Sequence, residues 1–426
     1  MRFHIVAMIA ALPVSAHAAD FPKFKAQEID SGLKIGYAVL TADIDGDKKL
    51  DIVVVDQHKL VWYQNPGKPG TDWKKRVMLD GKTKPDNVCA AAIDIDGDGL
   101  PEIVIGSAWK PFDTANAAQL GWAKRGKTLD DEWTYHALPC DEPTVHRVRV
   151  FDIDGDGKPE IVHVPLMGRD ATAKGNWVDG RPVRVVALKV PAKDPEKAEN
   201  WKTTVLSEEL HVVHNFWMYP AGVGLTGSNI ITASYEGVHV LIRDEKGFIH
   251  RRIGEGNQAN PKSNRGASEV KMGTIVNDKF PKLPQRCVAT IEPWHGNQVV
   301  VYTPSLDIPK DPKEHLWDRH VIDEQLRWGH GVWFADLDGD GTDELIIGVR
   351  DDPNAKAGDK HTERRGVRIY KNTDGKGAKW DRLIIEDGGV AVEDLCAADL
   401  DGDGKIDIIA VGRATGNARI YWNQGK

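Results

Sequence analysis

Four cysteines in 426 residues are too few and too scattered to staple a disulfide framework. Cys89, Cys140, Cys287 and Cys396 form no Cys-x-x-Cys pair, so neither a structural zinc site nor a redox couple is encoded, and buried free thiols are expected. Charge of one sign is also missing. The 56 Lys+Arg stand against 64 Asp+Glu for a net charge of −8, which leaves no basic footprint for nucleic acid. No Gly-rich phosphate loop, serine nucleophile elbow or dinucleotide fingerprint occurs, which argues against a nucleotide cofactor. Long apolar runs are absent apart from Ile5 to Val14. With Arg2 before it and Ala16-His17-Ala18 after it, that run reads as a signal peptide over residues 1–18, cleaved before Ala19. It is shorter than the ~20 apolar residues a bilayer span needs. The expectation is a secreted or periplasmic protein with no membrane span, residues 19–426 forming a single domain.

What the chain does contain is repetition. Asp43-Ile-Asp-Gly-Asp47, Asp94-Ile-Asp-Gly-Asp98, Asp152-Ile-Asp-Gly-Asp156, Asp336-Leu-Asp-Gly-Asp340 and Asp399-Leu-Asp-Gly-Asp403 share one frame. Each precedes a short β-branched run of strand length, such as Ile52 to Val55 or Ile408 to Val411, so the pair reads as a hairpin turn and second strand. A third strand follows, as in Leu60-Val-Trp-Tyr63 and Ala418-Arg-Ile-Tyr421, and a fourth opens near Trp73, Trp133, Trp201, Phe248, Trp317 or Trp380. Four short strands in about 40 to 60 residues predict propeller blades. Five units carry the Asp motif, while residues 214–255 and 268–324 keep the strand pattern without it. The fold class is therefore all-β, a seven-bladed β-propeller. Its last unit lacks a fourth strand, and Phe24 to Asp30, which matches Trp380 to Glu386 in character, is expected to supply it and close the ring.

The repeated loops place acids at positions one, three, five and nine: Asp43, Asp45, Asp47 and Asp51; Asp94, Asp96, Asp98 and Glu102; Asp152, Asp154, Asp156 and Glu160; Asp336, Asp338, Asp340 and Glu344; Asp399, Asp401, Asp403 and Asp407. Hard oxygen ligands at that spacing, with glycine for the turn, suit Ca²⁺ in a structural role, and bare acids so close would repel. Plain Asp-turns capping each hairpin are the alternative. This arrangement resembles the FG-GAP/VCBS-type repeat family, whose blades carry such a loop between their first two strands. The resemblance covers nearly the whole mature chain and implies the fold far more than an activity.

Counting six residues back from the first Asp of each motif gives the start of each innermost strand, beside the central channel. Those positions read Tyr37, Val88, His146, His214, Glu269, His330 and Glu393, with His214 and Glu269 aligned by pattern alone. Three histidines and two glutamates at equivalent places around one axis converge, which suits a divalent metal held by His146, His214, His330, Glu269 and Glu393. A hydrated polar channel is the alternative. Loops on the same face carry His58, Trp109, Lys110, Arg169, Asp170, Tyr235, Glu236, Trp294, His295, Arg350, Asp351 and Arg413. Aromatic plates beside charged donors fit a sugar, and Trp109, Lys110, Trp294, Arg350 and Arg413 are the candidate carbohydrate-binding residues.

His146, His214, His330 and the run Glu292-Pro-Trp-His295 are similar to the propeller domain of aldos-2-ulose dehydratase/isomerase enzymes. That resemblance implies an exported metal-dependent lyase or dehydratase acting on a keto-sugar or 3-keto-glycoside, by α-proton abstraction and β-elimination. The cupin-type region of those longer enzymes has no counterpart in this sequence, which bears on the isomerase half of their chemistry. His295 is the candidate base, with Tyr235 or Glu236 as the partner acid. A non-catalytic glycan- or protein-binding propeller, or a metal-independent polysaccharide lyase, would use the same face. Substrate, metal identity and oligomeric state are not encoded legibly.

Overall fold

The computed structural model describes residues 20–220, 227–244, 247–259, 264–277, 284–305, 315–350 and 365–426. The expected signal peptide and Asp351 lie outside them. The described chain folds as seven four-stranded antiparallel sheets, a seven-bladed propeller whose one helical element is the short 3-10 turn Ala198–Asn200. No helix among these residues is long and apolar enough to cross a membrane.

Blade one comprises β2 (Ala38–Ala42), β3 (Asp51–Val55), β4 (Lys59–Gln64) and β5 (Lys74–Asp80), and blade two β6 (Cys89–Ile93), β7 (Glu102–Ser107), β8 (Gln119–Lys124) and β9 (Thr134–Leu138). Blade three is β10 (Val145–Phe151), β11 (Glu160–Pro165), β12 (Val183–Lys189) and β13 (Lys202–Leu210). Blade four is β14 (Asn215–Pro220), β15 (Ser228–Ser234), β16 (Gly237–Asp244) and β17 (Gly247–Gly254). Blade five is β18 (Val270–Ile275), β19 (Gln285–Glu292), β20 (Gln298–Thr303) and β21 (Asp318–Asp323). Blade six is β22 (Gly329–Ala335), β23 (Glu344–Val349), β24 (Gly366–Asn372) and β25 (Trp380–Asp387). Blade seven joins β26 (Val392–Ala398), β27 (Asp407–Gly412) and β28 (Ala418–Asn423) to β1 (Phe24–Asp30).

The closing pair runs antiparallel, Phe24 opposite Asn423 and Glu28 opposite Arg419. Trp422 Nε1 donates to Gln27 Oε1 at 2.8 Å, and Arg419 Nε to Glu28 Oε2 at 3.0 Å. Second strands are almost wholly buried because both their faces are covered by neighbouring blades; all five residues of β3, Asp51 included, are buried. Equivalent asparagines link blades: Asn65 Nδ2 donates to Leu400 O and Asn423 Nδ2 to Leu337 O, each at 2.7 Å.

The Asp loops join first to second strands. In each, the first Asp accepts backbone N–H groups from across the turn, as Asp94 does from Gly97 at 2.7 Å and Gly99 at 3.0 Å. The ninth acid accepts the amide seven residues earlier, as Glu102 does from Ile95 at 2.8 Å. Gly97 sits at φ 80°, a conformation few L side chains adopt, which is why the motif carries glycine there.

One feature differs between blades. The third-strand residue following the partner of the loop's adjoining strand is Lys124, Lys189 and Lys371 in blades two, three and six, but Gln64 in blade one and Trp422 in blade seven. Each lysine reaches into its own blade's loop: Lys124 Nζ lies 3.2 Å from Asp96, and Lys189 Nζ 2.7 Å from both Asp154 and Asp156. Lys371 Nζ pairs with Asp338, with Asp340 at 2.8 Å and with Glu344 at 3.3 Å.

Candidate functional site

The starts of the innermost strands surround one mouth of the channel, and the loops from second to third strands rise around it. Together they enclose a cavity of about 310 Å³. Tyr37, Val88, His146, His214, His330 and Glu393 line it from the strands, and Trp109, Trp294, His295, Trp328, Arg350 and Arg413 from the loops. Glu269, the seventh aligned residue, lies behind His214 rather than in the wall.

His214, His295 and His330 bring one nitrogen each within 4.8 Å of the others. His214 Nε2 and His295 Nε2 are 3.0 Å apart, and the His295 and His330 rings stack with centroids 5.0 Å apart. His146 stands beside this trio, its centroid 4.6 Å from His214 and 4.9 Å from Trp109.

The hydrogen-bond partners fix ring orientation. A carbonyl only accepts, so His146 Nδ1–H donates to His214 O at 2.9 Å and His330 Nδ1–H donates to Glu393 O at 2.6 Å, leaving each Nε2 with a lone pair. Glu269 Oε1 lies 2.9 Å from His214 Nδ1. Burial disfavours the imidazolium in all four. It carries His330 down to about 3 and, helped by Arg147, holds His146 well below the ordinary histidine range; His214 and His295 are lowered in the same way. Neutral imidazoles with free Nε2 atoms are the ligand form, and backbone carbonyls on Nδ1 are the usual support of metal-bound histidine. The nitrogen donor set thus fits a borderline divalent ion.

The two glutamates expected as ligands are engaged elsewhere. Glu393 bridges Arg350 at 2.8 Å and Arg413 at 2.9 Å. Burial pushes its carboxyl up, but Arg350, His330 and Arg413 outweigh that and bring it to about 2. Glu269 pairs with Arg147 at 3.2 Å and also accepts from Asn215 Nδ2. These carboxylates hold their neighbours in place and offset the charge of buried arginines.

Three of the histidine-bearing strands share a backbone irregularity. Thr144, Val212 and Trp328, each two residues before His146, His214 and His330, adopt φ 46°, 46° and 68°. The matching residues in the other four blades, Ile35, Asp86, Ala267 and Ala391, do not. A positive φ on threonine, valine and tryptophan costs of order 1–3 kcal/mol each and persists only where surroundings impose it. His295 also sits at φ 50°, on a turn where a Cβ on Gly296 would meet Glu292 O at 2.2 Å.

Among the carbohydrate-binding candidates, Trp109, Trp294, Arg350 and Arg413 line the cavity, and Trp328 joins them. The indole N–H groups of Trp294 and Trp328 are buried with no partner among the described residues. Arg350 lies over the Trp328 ring at 4.8 Å and Arg413 over Tyr37 at 4.9 Å. Lys110 instead borders a separate recess with Lys84 and Asp113. Tyr235 and Glu236 are not brought into the cavity: the Tyr235 hydroxyl accepts from Asn176 Nδ2 at 2.9 Å, and Glu236 accepts from the His211 backbone at 3.0 Å and lies 2.7 Å from His211 Nδ1. His58 is exposed, Asp170 is exposed, and Arg169 donates to Ala115 O at 2.7 Å. Arg147, absent from the sequence expectations, is the charged residue behind the ring; its only signal was adjacency to His146.

A family described as "Aldos-2-ulose dehydratase, beta-propeller domain" matches residues 118–305, and "FG-GAP-like repeat" matches residues 43–105. The chain is a seven-bladed propeller that carries an FG-GAP-like repeat over residues 43–105 and resembles the aldos-2-ulose dehydratase propeller domain over residues 118–305. Aldos-2-ulose dehydratase of Phanerodontia chrysosporium is 25% identical over 340 residues, covering 75% of this chain and 35% of that protein. The chain thus spans about a third of that relative's length. Among solved structures, the crystal structure of BBS1N in complex with ARL6DN matches with a TM-score of 0.52 at 13% identity, covering 94% of this chain and 96% of that one. The extracellular domain of BT4673 from B. thetaiotaomicron matches with a TM-score of 0.50 at 11% identity, over 94% of this chain and 40% of that one. At such identities the two structures speak for the fold alone.

Proposed function

We propose that this propeller is an exported, metal-assisted carbon–oxygen lyase that removes the proton beside a sugar ketone and expels the β-hydroxyl or glycosidic oxygen. The observation that carries the reading is the meeting of the His214, His295 and His330 nitrogens within 4.8 Å inside a cavity walled by tryptophan and arginine. Similarity to a dehydratase supports it. These three histidines would hold the ion, which when bound supplies Lewis-acid polarisation of the ketone. Glu269 braces His214 from behind.

His146 takes the part of base that the sequence suggested for His295, because the His295 Nε2 is turned to His214 while His146 Nε2 is uncommitted. Held neutral by burial, His146 receives the α-proton, and the resulting imidazolium returns it to the departing oxygen. One C–H and one C–O bond break, one C=C bond forms, and water or an alcohol leaves. Trp109 and Trp328 cover the apolar face of the ring, and the unpaired indole N–H groups of Trp294 and Trp328 donate to its hydroxyls. Arg350 and Arg413 keep donors free beyond those spent on Glu393. Ca²⁺ in the Asp loops is part of the proposal as a structural ion.

The test is to offer the purified protein a 3-keto-glycoside and a 2-keto-aldose with added divalent metal and to follow ultraviolet absorbance of the α,β-unsaturated ketone. Product that disappears on chelation supports the proposal. Sugar retained without turnover points to a glycan-binding propeller, and unsaturated product from uronic-acid polymers under chelation to a metal-independent lyase.

A further inference from the structure

The loops from second to third strand cover only residues 56–58 in blade one and 235–236 in blade four, but residues 108–118 in blade two and 166–182 in blade three. The two long loops are tied to each other. Thr114 Oγ1 donates to Ala171 O at 2.8 Å, Asp170 N to Thr114 O at 3.1 Å, and Arg169 to Ala115 O at 2.7 Å. Within the second loop, Thr172 donates from N and Oγ1 to the Asp179 carboxylate at 2.7 and 2.6 Å, and Asn176 and Trp177 sit at φ 61° and 64°. The pair forms a braced wall on one side of the cavity mouth.

That wall holds an aromatic ring the fold does not use. Phe112 is 69% exposed, more than any other large apolar side chain among the described residues. Its ring stacks on Trp177, with centroids 5.4 Å apart and planes within 24°. Trp177 packs in turn on Leu166, Met167 and Val212, the small cluster that also carries Trp109 and Trp294. Phe112 lines the histidine cavity together with those two tryptophans. A phenyl ring is ordinarily placed inside; here it stands in water on rigid backing, continuous with a site already walled by aromatics. One exposed ring is far below the ~800 Å² per partner of a stable protein interface. The cavity of about 310 Å³ stands at the small end of the ~300–1,000 Å³ of small-molecule sites. A pyranose ring beside the histidines fills it, and a ring linked to that one emerges at the mouth, against Phe112.

We propose that Phe112, backed by Trp177, is an outer subsite for the second sugar ring of a di- or oligosaccharide whose first ring lies in the histidine cavity. The C–H face of a pyranose covers the phenyl ring as it covers the tryptophans within. This rests on the reading of the cavity as a lyase site for a 3-keto-glycoside, and it makes the expelled oxygen the glycosidic one. The C2–H and C1–O bonds break, C1=C2 forms, and the outer sugar departs as an alcohol carrying the proton.

Isothermal titration of the purified protein with cellobiose and maltose, against methyl β- and α-D-glucoside, reads the subsite apart from chemistry, since none of the four carries the ketone that elimination needs. At least one disaccharide is expected to bind several-fold tighter than its methyl glycoside. Phe112→Ala should lower that affinity by about three- to tenfold and leave the methyl glycoside unmoved, while Phe112→Trp, which keeps a ring, should retain the preference. An unchanged melting temperature checks that the truncated protein is folded. In the enone assay the same split should appear in kcat/KM between 3-ketocellobiose and methyl 3-keto-β-D-glucoside. A disaccharide preference with no enone from either keto-glycoside would remove the lyase reading and keep the subsite. Disaccharides bound no tighter than methyl glycosides, a preference kept by Phe112→Ala, or equal losses on both kinds of ligand would overturn the subsite.

Discussion

The Nε2 atoms of His214 and His295 face each other at 3.0 Å. Two neutral imidazoles at that distance either share one proton or share one cation, and the third nitrogen of His330 beside them favours a cation. His330→Ala should therefore lower both the divalent metal content and turnover, read by elemental analysis beside the enone assay. His146→Ala should keep the metal and lose turnover by about 10²–10⁴-fold, the range of a general base. Metal lost from His146→Ala, or turnover kept by it, would contradict the division of roles.

Glu269 links Arg147 to His214, so Glu269→Gln should act twice. Metal affinity should fall by about 10–100-fold, as for other outer partners of ligating histidines. Leaving Arg147 buried without its counter-charge should also cost about 3–5 kcal/mol, seen as a lower denaturation midpoint. A variant with unaltered midpoint would show that Arg147 finds another anion.

The lysines that reach the Asp loops should compete with Ca²⁺. Lys49 pairs with Asp47 in blade one and Lys405 with Asp403 in blade seven, so isothermal titration of the chelated protein with one lysine removed at a time reads the competition. Lys189→Met should gain one tight Ca²⁺ site in blade three. Unchanged stoichiometry and affinity in that variant would mean that ammonium and Ca²⁺ occupy different oxygens.

His163, on the second strand of blade three, is 1% exposed, and burial, then Arg184, lowers it from 6.5 to about 4. Between those values the unfolded chain binds a proton that the folded chain refuses, so stability falls as pH drops from about 6.5 to about 4. The contribution is at most about 3 kcal/mol. His163→Leu, which also removes an unpaired buried Nδ1, should flatten the melting temperature against pH over that window. Parallel curves for the two proteins would remove His163 as the cause.

Much of this fold was legible because the Asp motif repeats in one frame and each copy fixes the register of two strands. Even blades four and five, which lack it, keep strand length and spacing, and the resemblance of residues 24–30 to 380–386 located the closing strand. The site was legible only where the ring symmetry reaches. Alignment on the first Asp picks residues at strand starts, and it picked His146 and His330, while His214 came from the strand pattern alone. His295 comes from a loop whose path depends on a left-handed backbone, which no periodicity reports. Tyr235 and Glu236 occupy the corresponding loop of blade four, yet Asn176 and His211 engage them. The engagement of Glu393 by Arg350 and Arg413 joins residues from three loops and strands, and Lys189 lies more than thirty residues from the loop it enters. Such pairings arise from closure in space and leave no spacing in sequence.

That closure also has a timetable. β1 is among the first strands to be synthesised, and β28, its neighbour, is the last. Until β28 follows, β1 stays open to any other extended chain, and a loop of almost four hundred residues must then be gathered to join the two. Completion of the ring is thus a late, slow and single event. Since Glu393 and Arg413 belong to the blade that closes last, that wall of the cavity can be complete only after that event.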